Sequence, residues 1–208
     1  MHSSLLRHTS VMAATTRPHS ATHEVSNQAP AMTGRNLFLD DTALVEGLER
    51  EGGGWAHERL ERSGALWGGE PQEWARQANE NPPKLRTHDR FGHRIDEVEF
   101  HPAWHQLMTL SSGLGGHSMP WTEPRDGAHV ARTAGGIVGG QVEAGHGCPI
   151  TMTFAAIPAL RAAPDVLAEW EPLLMANAYD GELRPASEKG NAKCGMAMTE
   201  KQGGSDVR

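Results

Sequence analysis

The sequence has almost no cysteine. Cys148 and Cys194 are the two present, and their spacing fits neither a disulfide framework nor a zinc site. Both read as reduced thiols, as in a reducing compartment. Basic residues are short as well. There are 19 Lys and Arg against 26 Asp and Glu, a net charge of −7. A broad nucleic-acid surface needs clustered basic side chains, so this stretch of chain is not expected to supply one. No apolar run reaches the ~18 residues of a membrane-spanning helix, and the expected location is cytoplasmic. Nucleophile-elbow patterns (G-x-S-x-G) are missing. The first acid is Glu24. The Ser-, Thr- and Arg-containing lead-in before it has the composition of a mitochondrial transit peptide. The alternatives are a plain disordered leader or a true start at Met12.

A chain of 208 residues suits one domain, or one domain and part of another. Residues 1–32 lack apolar periodicity and read as a disordered, extended arm. Residues 33–185 read as a helical domain. In "LFLDDTALVEGLEREGGG", Asp40 or Asp41 can cap a helix, Leu44, Val45 and Leu48 share a face, and Gly52 to Gly54 end it. "WAHERLERSGAL" gives a second helix with Gly64 as a possible break. "EPQEWARQANENPP" gives a third, with Pro71 in its first turn and Pro82–Pro83 as the stop. The stretch around Gly92 forms either a short hairpin or a loop. Pro102 opens another helix in "HPAWHQLMTLSSGLGG".

"AHVARTAGGIVGGQVEAG" is a more unusual segment. Ala131, Ala134, Ile137, Val138 and Val142 suit a buried helix, but each glycine costs about 1 kcal/mol against alanine. The pairs Gly135–Gly136 and Gly139–Gly140 lie four apart on one face. Close approach of another backbone is expected there, rather than a break. Two further helices follow, the first bent or ended at Pro158. Residues 186–208 start something new, with Cys194, Met196 and Met198 alternating as in a strand.

Candidate chemistry is sparse. His101 and His105 stand at i, i+4, but no third metal ligand has a defined spacing, and no metal site is expected. Cys148 lies near His146, and a buried or half-buried structural thiol is expected there. The scattered tryptophans read as core and interface anchors. In "MTEKQGGSD", Gly203 and Gly204 allow close main-chain approach to a ligand, Ser205 adds a hydroxyl, and Thr199 offers another. On ingredients alone, a surface turn is the commoner reading.

The string "GMAMTEKQGGSDVR" resembles the flavin-binding signature of the acyl-CoA dehydrogenase superfamily. Its Lys-Gln-Gly-Gly variant resembles the AidB-type branch, linked to the adaptive response to DNA alkylation. "REGGGWA", "ANENPPKLR", "VEFHPAWHQLM" and "QVEAGHGCPITMTFAA" extend the likeness in the same order over roughly Thr22 to Arg208. The implied fold is mainly α: the N-terminal helical domain of an acyl-CoA dehydrogenase-like protein, with the first strand of its middle β-domain at the C-terminus. The implied cofactor is FAD. Met196, Ala197, Met198 and Thr199 would run along the isoalloxazine ring, Gly203 and Gly204 would shape the loop, and Ser205 would reach the pyrophosphate. The implied chemistry is α,β-dehydrogenation of an acyl-CoA, and no catalytic residue of that chemistry falls on this chain. The base, the DNA-binding surface of AidB-type proteins and most tetramer contacts are expected beyond Arg208. The chain therefore reads as a fragment, inactive by itself. The other implied role is that of a DNA-associated flavoprotein that limits alkylation damage.

Overall fold

A computed structural model describes residues 26–197, 199 and 201–204. The chain divides into Met1–Ala31 and Met32–Arg208, and the second unit carries the fold. The expected leader up to residue 25 lies outside the described residues.

Local sequence chemistry accounts for most of the elements. Helix α1 (Thr42–Arg50) starts where the Asp41 carboxylate accepts the Leu44 N–H at 3.0 Å, which satisfies a donor that the first turn leaves unpaired. Gly52 ends the turn that follows, at φ 81°, where other residues are strained. A 3₁₀ turn leads into α2 (His57–Trp67), and Pro71 opens α3 (Pro71–Glu80). The possible break at Gly64 does not occur. Gly64 is buried inside α2, and a Cβ there would collide with the Asn36 side chain and the Phe38 backbone. The glycine lets residues 36–38 cross the helix at close range.

The stretch around Gly92 is a hairpin. Strands β1 (Lys84–His88) and β2 (Arg94–Glu99) pair antiparallel with Lys84 opposite Glu99. Gly92 supplies the left-handed turn at φ 88°. The hairpin's residues are exposed except Asp89 and Ile95, which are half-buried.

His101 caps α4 (Pro102–Gly113) by accepting the Ala103 N–H at its Nδ1. The short α5 (Met119–Thr122) then leads to α6 (Ala128–Gly140). Helix α6 stays unbroken through its four glycines. A Cβ on Gly139 would sit 3.2 Å from the Trp67 indole, and one on Gly135 would lie 3.5 Å from Leu60. The close approach expected there is thus made by side chains of α2, not by a backbone. Helix α7 (Gly147–Leu160) carries Pro158 in its last turn, and α8 (Pro164–Met175) follows.

The main core joins Phe38, Leu48, Leu60, Trp67, Leu107, Ala131, Ala134 and Val138. A second cluster joins Ile157 and Leu174 to Ala192. Trp67 is a core anchor and Trp74, Trp104, Trp121 and Trp170 are half-buried, but Trp55 is exposed beneath the Arg125 guanidinium. Among the described residues β1 and β2 are the only strands. None forms at Cys194 and Met196, because a strand exists only against a neighbouring strand and no described strand lies beside this stretch.

Candidate functional site

The proposed flavin-facing residues follow a tightly anchored segment. Asn191 is 1% exposed. Its Nδ2 donates to the carbonyls of Leu173 and Ala176, each at 2.9 Å, and its Oδ1 accepts from Lys193 Nζ at 2.7 Å. The Ala192 N–H also donates to Leu173 O at 3.1 Å. These carbonyls belong to the end of α8, where helix acceptors lack intrahelical partners. One turn of chain further, the Cys194 N–H donates to Thr153 Oγ1 at 3.0 Å. Residues 191–194 are therefore fastened to both α7 and α8.

His117 completes this node. It is fully buried, and its Nε2 donates to Ala176 O at 3.1 Å. Among the described residues its Nδ1 has no partner. Burial, with help from the charges of Lys193 and Arg132, pushes its pKa down to about 4. Burial likewise brings Lys193 down to about 8. Ser118 Oγ donates to Asn177 Oδ1 on the same side.

Beyond the anchor, Met196 is 54% exposed, and Ala197, Thr199, Gly203 and Gly204 are exposed as well. Lys201 and Gln202 form a turn. Met198 and Ser205 lie outside the described residues. The described part thus offers an apolar thioether, a hydroxyl and two glycines on an uncovered stretch. That is the chemistry one side of a planar heterocycle with a phosphate tail would need, and the residues fit an FAD-facing role.

A second feature is a cavity of about 370 Å³ bordered by α2, α4, α6 and α7. Leu60, Trp67, Leu114, Met119 and Ile150 make its apolar walls. Glu143 and His146 form a buried pair beside it, Nδ1 to Oε2 at 2.9 Å, and His146 stacks on Trp67 with ring centres 5.2 Å apart. Burial pushes the Glu143 carboxyl up, but hydrogen bonds from the His146 N–H, the His146 ring and the Gly145 N–H outweigh it. The pKa ends below the usual range.

The remaining candidates separate. His101 is a helix cap, while His105 Nδ1 bonds the Tyr179 hydroxyl at 2.8 Å. No group of three metal-ligating side chains occurs among the described residues. Cys148 is exposed rather than buried. Ile150, Thr153 and Ile157 form the inward face of α7, and Cys148, two residues before Ile150, is turned about 200° away. Sequence reasoning missed Asn191, His117 and the Glu143–His146 pair. The last had a visible signal, an acid and a histidine at i, i+3, whereas Asn191 had none.

Among the described residues, no helix is long and apolar enough to cross a membrane. Residues 27–181 match the family model for the adaptive response protein AidB N-terminal domain. The chain is 46% identical over 192 residues to a protein of Escherichia coli (strain K12) that carries the provisional name acyl-CoA dehydrogenase AidB. That match covers 91% of this chain and 36% of the relative, so the chain spans about a third of that protein's length. Bd2924 in its apo form superposes with a TM-score of 0.74 at 26% identity, over 88% of this chain and 36% of that one. Caenorhabditis elegans ACDH-11, solved in complex with C11-CoA, shares the fold with a TM-score of 0.75 at 24% identity, over 91% of this chain and 32% of that one.

Proposed function

The chain belongs to the AidB N-terminal domain family, and from that premise we propose that it supplies the helical wall of an FAD-dependent, acyl-CoA dehydrogenase-like flavoprotein. The observation that carries this reading is the anchored segment. Asn191 and Thr153 fix its root, and the stretch bearing Met196, Ala197 and Thr199 leaves the helices uncovered. In this reading Met196, Ala197, Met198 and Thr199 lie along the isoalloxazine ring, Gly203 and Gly204 let the main chain turn toward the pyrophosphate, and Ser205 binds there. When bound, FAD supplies a two-electron acceptor for oxidation of a Cα–Cβ bond. The chain's own residues hold and orient it. Met196 excludes water from one edge of the ring, and the Thr199 hydroxyl offers a hydrogen bond. The substrate class in this reading is an acyl-CoA.

The family's description as an adaptive-response domain favours a second role, protection of DNA from alkylation. The −7 charge leaves DNA contact to other parts of such a protein.

The test is a chimera in which this chain replaces the matching stretch of the E. coli relative. The chimera is expected to purify with a flavin band in its visible spectrum, and Thr199→Ala is expected to reduce flavin retention. A folded chimera that stays colourless in excess FAD would refute the reading. The 208-residue chain by itself is expected to take up no stoichiometric flavin, because it offers only one side of the ring.

A further inference from the structure

We propose that the cavity between α2, α4, α6 and α7 binds an uncharged, largely apolar molecule carrying one hydroxyl, such as an alkylphenol. This inference is independent of the flavin reading. At about 370 Å³ the cavity falls within the size range of small-molecule sites.

Its walls leave specific polar atoms unused. Ser63 is 5% exposed, Ser111 8% and His146 3%, and all three line the space. Neither serine hydroxyl makes a hydrogen bond within the described structure, and His146 bonds Glu143 through Nδ1 alone. Among the described residues, the buried side-chain atoms both sealed from solvent and unpaired are Ser112 Oγ and His117 Nδ1. The two serine oxygens and His146 Nε2 are thus unpaired without being sealed, and their residues line the cavity. A matching partner can take the place of the water that such groups otherwise hold.

The pairing with Glu143 sets what that partner is. In the neutral ring, Nδ1 carries the proton donated to Glu143 Oε2 at 2.9 Å, so Nε2 presents a lone pair. It needs a donor. Ser63 stands one turn before Trp67 on α2, and Trp67 stacks on His146. A ligand resting on this aromatic surface would direct its O–H toward Nε2. Charge selects neutrality. An anion would meet the Glu143 carboxylate, and a cation would meet Arg132. The Arg132 guanidinium is already committed to Gly116 O at 3.0 Å and to the Phe154 ring at 3.8 Å. Arg59 is held by both carboxylate oxygens of Glu123, at 2.9 and 3.0 Å.

Calorimetric titration of the chain with p-cresol and with p-xylene tests this. The two probes have the same shape, with the hydroxyl replaced by methyl. The expected result is p-cresol binding roughly tenfold tighter, although it is the less hydrophobic probe. Gly136→Leu places bulk at a cavity position where a Cβ meets no atom within 4 Å, and is expected to abolish binding of both probes without loss of folding. His146→Phe keeps the stack on Trp67 and is expected to erase the preference for the hydroxyl. Equal or tighter binding of p-xylene to the unaltered chain would overturn the proposal, as would no binding of p-cresol at millimolar concentration. So would undiminished binding to Gly136→Leu. If His146→Phe does not fold, the Gly136→Leu and probe comparisons decide.

Discussion

Asn191→Ala removes the fastening between the helices and the segment proposed to face the flavin. The magnitude follows from its partners. Two hydrogen bonds from Nδ2 are lost, to Leu173 O and Ala176 O at 2.9 Å, each contributing about 1 kcal/mol net. Neither carbonyl is left bare, since the Ala192 N–H still serves the first and His117 Nε2 the second. That keeps the loss well below the cost of two orphaned acceptors. The Lys193 ammonium also loses its 2.7 Å contact to Oδ1, a charged hydrogen bond worth about 1.5 kcal/mol or more where water is partly excluded. The sum is about 3.5 kcal/mol, read as a drop in urea midpoint at constant slope. Hydrogen exchange localises it. The Ala192 and Cys194 amides should lose protection before those of α2 and α6. Asn191→Asp should be no better at neutral pH, because a carboxylate would face two carbonyl oxygens. A loss below about 0.5 kcal/mol, or unchanged protection at Cys194, would refute the view that this side chain roots the segment.

Two glycines three residues apart on α6 should respond oppositely. Gly136→Ala meets open space and should stabilise by about 0.5–1 kcal/mol, whereas Gly139→Val, pressed on the Trp67 ring at 3.2 Å, should destabilise by about 2 kcal/mol in denaturant titration. Buried His117 stays neutral down to about pH 4 from an ordinary 6.5. The unfolded chain therefore binds a proton that the folded chain refuses, and this contribution is intact above pH 6.5 and falls away between 6.5 and about 4. About 3 kcal/mol should be lost across that window, and His117→Leu should flatten the stability profile there. Lys193, at about 8 in the fold against 10.5, has the same sign at the alkaline end. Stability should rise from pH 8 toward 10.5, and Lys193→Met should remove the rise. Arg59→Ala breaks a pair whose side chains are 39% and 37% exposed, and should cost less than about 1 kcal/mol, falling further in high salt.

The helices were legible because their signals are local. Asp41, Pro71 and Pro102 mark starts that the chain uses, and the apolar spacing around Leu44 and Leu48 marks an inward face. Gly64 misled for the opposite reason. Its role depends on residues 36–38, which cross α2 nearly thirty positions away in sequence. At Cys194 to Ala197 no strand is formed among the described residues, since alternation describes only which way side chains point, and a ladder also needs a neighbour. Cys148 was misjudged from the general tendency of thiols to be buried, when the helical phase of Ile150, Thr153 and Ile157 already turned it outward. The proposed flavin residues came from a resemblance, since two glycines and two hydroxyls do not by themselves distinguish a cradle from a turn.

The buried polar node gains meaning from its position. His117, Asn191 and the end of α8 converge on Ala176 O, which accepts from both side chains. Apolar residues could seal the same spot at no desolvation cost, but they would not fix a direction. Apolar contacts tolerate small slides, and hydrogen bonds at 2.9–3.1 Å to named carbonyls do not. A slide of one residue at Asn191 would break its bonds to Leu173 and Ala176 together. It would also carry the Cys194 N–H away from Thr153 Oγ1. The node therefore sets the register at which the chain leaves the helices. If Met196 and Thr199 line a flavin, their position along the ring is determined here, several residues earlier, by side chains that never touch the cofactor.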